Sequence, residues 1–326
     1  VQALVLTGPG RLEVLESEGR ALRTGEARVR VEAAGICGSD LHGYHGVTSR
    51  RHPGVVMGHE FVGRVVEGPG IGIRVAVNPL VACGTCVDCA VGQENLCATR
   101  EVIGSVPELP GGLASEVVAP AANCVPIDGD ADPRGLVLTE PLAVGVHAVR
   151  LAAPEPGTPV LVLGGGTVGL AVGLACLDAG AEPVVRARNP VRRALLERAG
   201  LRTCAPGDAG DAYRLVIDCV GRDETVGEAL ARTRPGGAVV VVGLVDETFT
   251  LPGTPLVLGE RRILGSYAYT MHDFREAARA AERRADVLAP LVAVVPDLEG
   301  VAAAFDDEPR GALKTAFVPS GHLRAG

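Results

Sequence analysis

Cys83, Cys86, Cys89 and Cys97 fall in one short loop at spacings of three, three and eight residues. Four thiolates gathered around one point make a closed tetrahedral zinc site that leaves no position for a substrate. Such a site is structural: the loop 82–97 has little apolar material of its own, and ligation supplies what a missing core cannot. A differently built set precedes it. Cys37 and the pair His59-Glu60 offer one sulfur, one imidazole and one carboxylate, the mixed donors of a catalytic zinc that keeps an open position. A metal of that kind lowers the pKa of a bound alcohol, as it lowers that of water from roughly 16 to about 7, and so favours loss of hydride from the carbon. Glu140, in Thr139-Glu140-Pro141, is a second candidate carboxylate; it reads equally well as a helix-start residue satisfying backbone N–H groups.

Oxidation of an alcohol also releases a proton. Ser39 lies two residues after Cys37, and His42 three residues after Ser39. A hydroxyl beside the metal can therefore pass protons to an imidazole nearer water. Asp40 is placed to hold His59 in one tautomer. His45, His52, His147, His272 and His322 have no such context and read as structural or surface residues.

A hydride needs an acceptor. Val160-Leu161-Val162-Leu163 runs into Gly164-Gly165-Gly166-Thr167-Val168-Gly169, a strand entering the glycine fingerprint of a dinucleotide site. Gly164 serves the tight turn, Gly166 the close approach of a pyrophosphate, and Gly169 helix–strand packing, with Thr167 and Val168 opening a helix towards the phosphates. The second strand of an NAD site ends in a carboxylate; here Ala187 stands at that place, between Arg186 and Arg188. A guanidinium can clamp a 2′-phosphate that a carboxylate would repel. NADP is therefore the expected cofactor, with NAD as the alternative.

The elements that must position these groups fall into two halves. Up to about residue 145, short apolar runs such as 27–31 and 61–66 alternate with Gly, Pro and Asp turns, a β-rich pattern. From about 146 the rhythm becomes strand then helix: strands at 160–163, 183–186, 215–219 and 238–244, helices at 167–179, 190–199 and 224–232. That alternation predicts an α/β fold with a parallel sheet covered by helices on both faces. A helix over 273–284 follows, and a strand over 313–318 that could return to the first half. Two domains suit 326 residues.

Composition narrows the function classes. There are 31 basic and 39 acidic residues, a net charge of −8, which argues against a nucleic-acid surface. Lys314 is the single lysine, so the arginine excess reflects genome bias more than a binding face. The most apolar stretch, 160–185, is broken by glycines, Asp178 and Glu182 and does not read as a membrane span. Five of nine cysteines belong to the two metal sets, and Cys124, Cys176, Cys204 and Cys219 sit among apolar neighbours; a reducing cytoplasm is the expected compartment.

Taken together, Gly35-Ile36-Cys37-Gly38-Ser39-Asp40-Leu41-His42, Gly58-His59-Glu60-Phe61-Val62-Gly63, the four-cysteine loop, Glu140-Pro141-Leu142 and the glycine fingerprint resemble the zinc-containing medium-chain dehydrogenases/reductases of the alcohol dehydrogenase superfamily, in their sorbitol (polyol) and threonine dehydrogenase branch. The resemblance covers essentially the whole chain. It implies a GroES-like substrate domain over 1–145, to which 289–326 returns, and a Rossmann cofactor domain over 146–288. It also implies a catalytic zinc on Cys37, His59 and either Glu60 or Glu140, a structural zinc on the cysteine loop, and Lys314 as a basic residue for the cofactor pyrophosphate. Glutamate at 140, where the classical alcohol dehydrogenases carry cysteine, points to the polyol, sugar or amino-acid branch. The substrate implied is a small secondary alcohol or its ketone, the assembly a homodimer or homotetramer. Tyr44, Val47, Leu109 and Leu256 are candidates to line the substrate pocket. The rival readings are a catalytically retired relative that keeps only the structural zinc and acts as a structural or sensing protein, and a zinc-ribbon binding module.

Overall fold

The computed structural model of the chain describes residues 1–47, 51–127, 130–210, 212–307 and 311–322. The chain divides into two compact units, Val1–Glu140 with Thr270–Gly326, and Pro141–Tyr269.

The first unit is built on a seven-stranded sheet. In order, its strands are Val292–Val295, Lys314–Phe317, Glu26–Ile36, Glu60–Glu67, Arg74–Val77 and Cys124–Pro126, with Glu116–Pro120 also paired to Glu26–Ile36. The central strand shows why it forms. Ala27, Val29 and Val31 alternate inward at 1% exposure or less, while Arg28 and Arg30 carry carboxylate partners on the other face, the period-two pattern of a half-buried strand. From Glu32 to Ile36 both faces are covered. Each fully buried Val or Leu of this core contributes about 1.5–3 kcal/mol.

The second unit carries a six-stranded, all-parallel sheet: Arg202–Cys204, Glu182–Arg186, Pro159–Leu163, Tyr213–Asp218, Thr233–Val241, Arg262–Gly265. Numbered along the chain this is the order 3-2-1-4-5-6, the doubly wound Rossmann arrangement, with its switch point beside Pro159–Leu163. The two outermost strands, Arg202–Cys204 and Arg262–Gly265, were not expected; both are short and lack alternation.

The chain re-enters the first unit at Thr270, earlier than the expected residue 289. The reason is the helix Met271–Leu288, longer than the expected 273–284, which buries Phe274, Ala277, Ala278, Ala281 and Ala285. It packs on the short helix Pro133–Leu136, where Gly135 leaves room for the backbone of Ala285. Thr270 starts this helix by exchanging hydrogen bonds with Asp273, the capping arrangement that fixes a helix N-terminus. Among the described residues, one helical stretch, Pro133–Ala152, is long and apolar enough to cross a membrane, but 67% of its apolar window is buried within the protein.

Candidate metal centre and cofactor site

Three neighbouring strands assemble the mixed donor set and the lysine beside it. Cys37 directly follows Glu26–Ile36 and caps the helix Gly38–Tyr44. Glu60 opens the next strand and lies opposite Gly35. Lys314 opens the strand on the other side, where Thr315 lies opposite Ile36. The donor atoms of Cys37, His59 and Glu60 lie within 4.8 Å of one another. Gly35 is part of the design: a side chain there would collide with Glu60 Oε2.

Lys314, expected at the cofactor pyrophosphate, has its partners beside the mixed donor set. Its ammonium is buried in this pocket, donating to Glu60 Oε1 at 2.8 Å and to Ile36 O at 3.0 Å. Burial works against the Lys314 charge, but Glu60, Cys37 and Glu140 outweigh it and raise the pKa. Glu140 is therefore close enough to act electrostatically on Lys314, yet it is not in the converging donor set among the described residues.

His59 and Glu60 are buried, and His59 Nδ1 has no hydrogen bond, its neighbour Asp40 Oδ1 lying 3.5 Å away. Burial disfavours a charged His59, but Asp40 and Cys37 beside it push its pKa well up. The unbonded, buried His59 Nδ1 and the convergence of a sulfur, an imidazole and a carboxylate suit a zinc ion, which accepts these donors. Asp40 itself is fully buried; its Oδ2 accepts from the Cys37 N–H at 3.1 Å. Burial raises its pKa, but His59 and Arg51 more than offset this and hold it well below the usual carboxylate range. Ser39 is exposed and His42 half-buried on the same short helix, three residues apart and so on one face.

The cysteine loop fits a metal on its own terms. The four sulfurs lie within 4.8 Å of one another, and Cys83 Sγ is 3.9 Å from Cys89 Sγ. Sulfurs held about 2.3 Å from a common centre in a tetrahedron are about 3.8 Å apart. The backbone N–H groups of Thr85 and Cys86 point at Cys83 Sγ, at 3.5 and 3.3 Å. The Thr85 bonds lead in holding that thiol down at about 5, ready to ligate.

In the second unit the glycine loop connects Pro159–Leu163 to the helix Thr167–Asp178. Gly164 has φ +111°, a turn closed to most side chains. A side chain on Gly169 would strike Gly164 O, whereas a Cβ at Gly166 meets little but Arg192 Nη1, 3.9 Å away. A helix N-terminus of this kind presents backbone N–H groups that suit a phosphate. Ala187 is buried. Arg186 is paired with Glu228, while Arg188 is exposed.

Of the pocket-lining candidates, Tyr44 is instead a core residue. It is 5% exposed, packs edge-on against Phe305, and donates its hydroxyl hydrogen to Asp306 Oδ1 at 2.8 Å, with Gly10 O 3.1 Å away as the alternative acceptor. Leu109 and Leu256 pack against the cores of their respective units, and Val47 is exposed. Sequence reasoning missed Arg51, whose Nη2 lies 3.2 Å from Asp40 Oδ1.

Comparison with known proteins supplies the family. Residues 23–129 match the model of the alcohol dehydrogenase GroES-like domain, and residues 167–283 that of the zinc-binding dehydrogenases. The L-galactonate-5-dehydrogenase of Escherichia coli K12 is 35% identical over 78% of this chain and 79% of its own. The chain belongs to the zinc-type alcohol dehydrogenase family. It is an oxidoreductase with a GroES-like domain and a Rossmann-like parallel-sheet domain, and the zinc-ribbon alternative falls away. The L-idonate 5-dehydrogenase of Vitis vinifera is 33% identical over 75% of this chain and 74% of its own. Among solved structures, a protein of Sinorhizobium meliloti 1021 bound to NADP superposes with a TM-score of 0.89 at 29% identity, covering 98% of this chain and 99% of that one.

Proposed function

We propose that this alcohol dehydrogenase interconverts a secondary alcohol of a polyol, cyclitol, sugar or sugar acid with its ketone, passing hydride to and from NADP in preference to NAD. The observation that carries the reading is the convergence of half-buried Cys37 with buried His59 and Glu60. Zinc on these residues, with Glu140 as the alternative carboxylate, would polarise the substrate oxygen and lower the pKa of the alcohol. Asp40 orients His59 from behind and anchors the Cys37 backbone. Ser39 accepts the alcohol proton and His42 carries it towards water. Cys83, Cys86, Cys89 and Cys97 hold a second, structural zinc.

In the second unit Gly164, Gly166, Thr167, Val168 and Gly169 take the cofactor pyrophosphate, and Arg188 the 2′-phosphate. The lack of a carboxylate at Ala187 supports NADP, and the NADP-bound Sinorhizobium protein supports a nicotinamide dinucleotide as cofactor. The two sugar-acid 5-dehydrogenases support a substrate with several hydroxyls. We place the enzyme in the cytoplasm as a homodimer or homotetramer, in keeping with its free cysteines and its relatives' family.

Metal analysis tests the reading. Wild type should carry about two zinc ions per chain, Cys37→Ser and Cys97→Ser about one each. A wild type that binds only the cysteine-loop zinc would overturn it in favour of a retired relative.

A further inference from the structure

Behind the donor set lies a buried cation that neither the sequence pattern nor the proton path uses. Arg51 has a side chain only 6% exposed. Its stem lies across Gly43 of the helix Gly38–Tyr44, close enough that any side chain at Gly43 would collide with Arg51 Cγ. Its guanidinium is anchored at one end by Ser105 Oγ, 2.7 Å from Nη1. At the other end Nη2 donates to Asp40 Oδ1 at 3.2 Å, the oxygen that faces His59 Nδ1. Asp40 Oδ2 accepts from the Cys37 N–H.

We propose that Arg51 is a positioning residue for the catalytic metal. The planar guanidinium fixes the rotation of the Asp40 carboxylate, and that rotation decides two things at once: whether Oδ1 meets the His59 ring, and whether Oδ2 holds the backbone of Cys37. Two of the three metal donors are thus set by one arginine that touches neither. Without that fixed cation the buried carboxylate keeps only the Cys37 N–H and the longer His59 contact to set its orientation. The close passage over Gly43 explains the geometry: the helix that presents Asp40 also forms the wall along which Arg51 reaches it. The inference rests on the metal reading proposed above.

The test is metal affinity, site by site. Wild type, Arg51→Met, Arg51→Lys and Gly43→Ala are compared by chelator competition for zinc and by the visible spectrum of the cobalt-substituted protein. Arg51→Met should weaken the second, catalytic zinc by about 10–100-fold, the size of effect when an orienting partner of a metal ligand is lost, and leave the cysteine-loop zinc unchanged. The cobalt bands from the Cys37 site should shift. Arg51→Lys keeps the charge without the planar fork and should recover only part of the affinity. Gly43→Ala displaces the stem while leaving the guanidinium in the chain, so it gives a second route to the same loss should Arg51→Met fail to fold. Unchanged catalytic-site affinity and cobalt spectrum in a folded Arg51→Met or Gly43→Ala protein would overturn the role of Arg51. A wild type lacking the second zinc would instead overturn the metal reading itself.

Discussion

Lys314 Nζ stands 2.7 Å from Glu60 Oε2, with both side chains sealed from solvent at 4% and 1% exposure. The only lysine of the chain thus sits on the carboxylate of the candidate catalytic metal site. It also ties down Ile36 O, next to Cys37. The pair spans the central strand from either side, so the sheet and the site depend on the same contact.

Removing one partner of such a pair strands a buried charge, which costs about 3–5 kcal/mol. Lys314→Met should therefore lower the unfolding free energy of the zinc-free protein by that amount in urea titrations. Lys314→Arg should be milder, because the charge survives. A loss below about 1 kcal/mol for Lys314→Met, the scale of an exposed pair, would show that Glu60 is not held in this way.

Gly35 makes room for the same carboxylate. Gly35→Ala should displace Glu60 and cost about 1–3 kcal/mol, as overpacking of a filled interior does. A double-mutant cycle between Gly35→Ala and Lys314→Met checks the shared cause: the two effects should be markedly less than additive. Additive losses would place the clash elsewhere.

At the start of the central strand, Glu26 accepts from Arg20 Nη1 and Nη2 at 2.6 and 2.7 Å. Arg20 leads the causes that lower the Glu26 pKa from 4.5 to about 2. Because the folded value is depressed, the unfolded chain takes up its proton first. The stabilisation is fully present above about pH 4.5 and is lost as pH falls through about 2. Glu26→Gln should flatten the stability profile of the protein between those values. Carbon-detected titration of Glu26 checks it directly, with a midpoint near 2 expected and one near 4.5 against.

Arg188 is the exposed member of the arginine pair flanking Ala187, Arg186 being paired with Glu228. Arg188→Glu should weaken NADPH binding by about tenfold or more, the loss of a hydrogen bond between charged groups being worth about 1.5–3 kcal/mol. NADH binding should change little. Fluorescence titration with both nucleotides measures the ratio, and equal losses for the two would contradict a 2′-phosphate contact.

The parts of this protein that could be read from its sequence are those whose signal is local. The apolar run Val160–Leu163 entering the glycine fingerprint marked the first Rossmann strand and its helix because each glycine answers a steric demand of its neighbours. The two cysteine-bearing sets were likewise legible as clusters whose donor atoms converge, since a metal site would constrain residue type and spacing together. The edge strands Arg202–Cys204 and Arg262–Gly265 gave no such signal; they are held by pairing to one neighbour and carry no alternating pattern. Lys314 and Arg51 were invisible for a different reason. Their roles come from strand register and from a helix crossing, which place residues 254 and 11 positions away from their carboxylates within bonding distance. In an arginine-rich chain, Arg51 between Arg50 and His52 reads as a surface run until its partners are seen.

The most direct measurement is nicotinamide absorbance during incubation of the zinc-loaded protein with a panel of polyols, cyclitols, sugar acids and simple secondary alcohols, each with NADP and with NAD, alongside Cys37→Ser. The account predicts reduction of NADP by at least one polyhydroxylated secondary alcohol, abolished by Cys37→Ser and by chelator. Turnover that survives Cys37→Ser, or none at all from protein carrying both zinc ions, would contradict it.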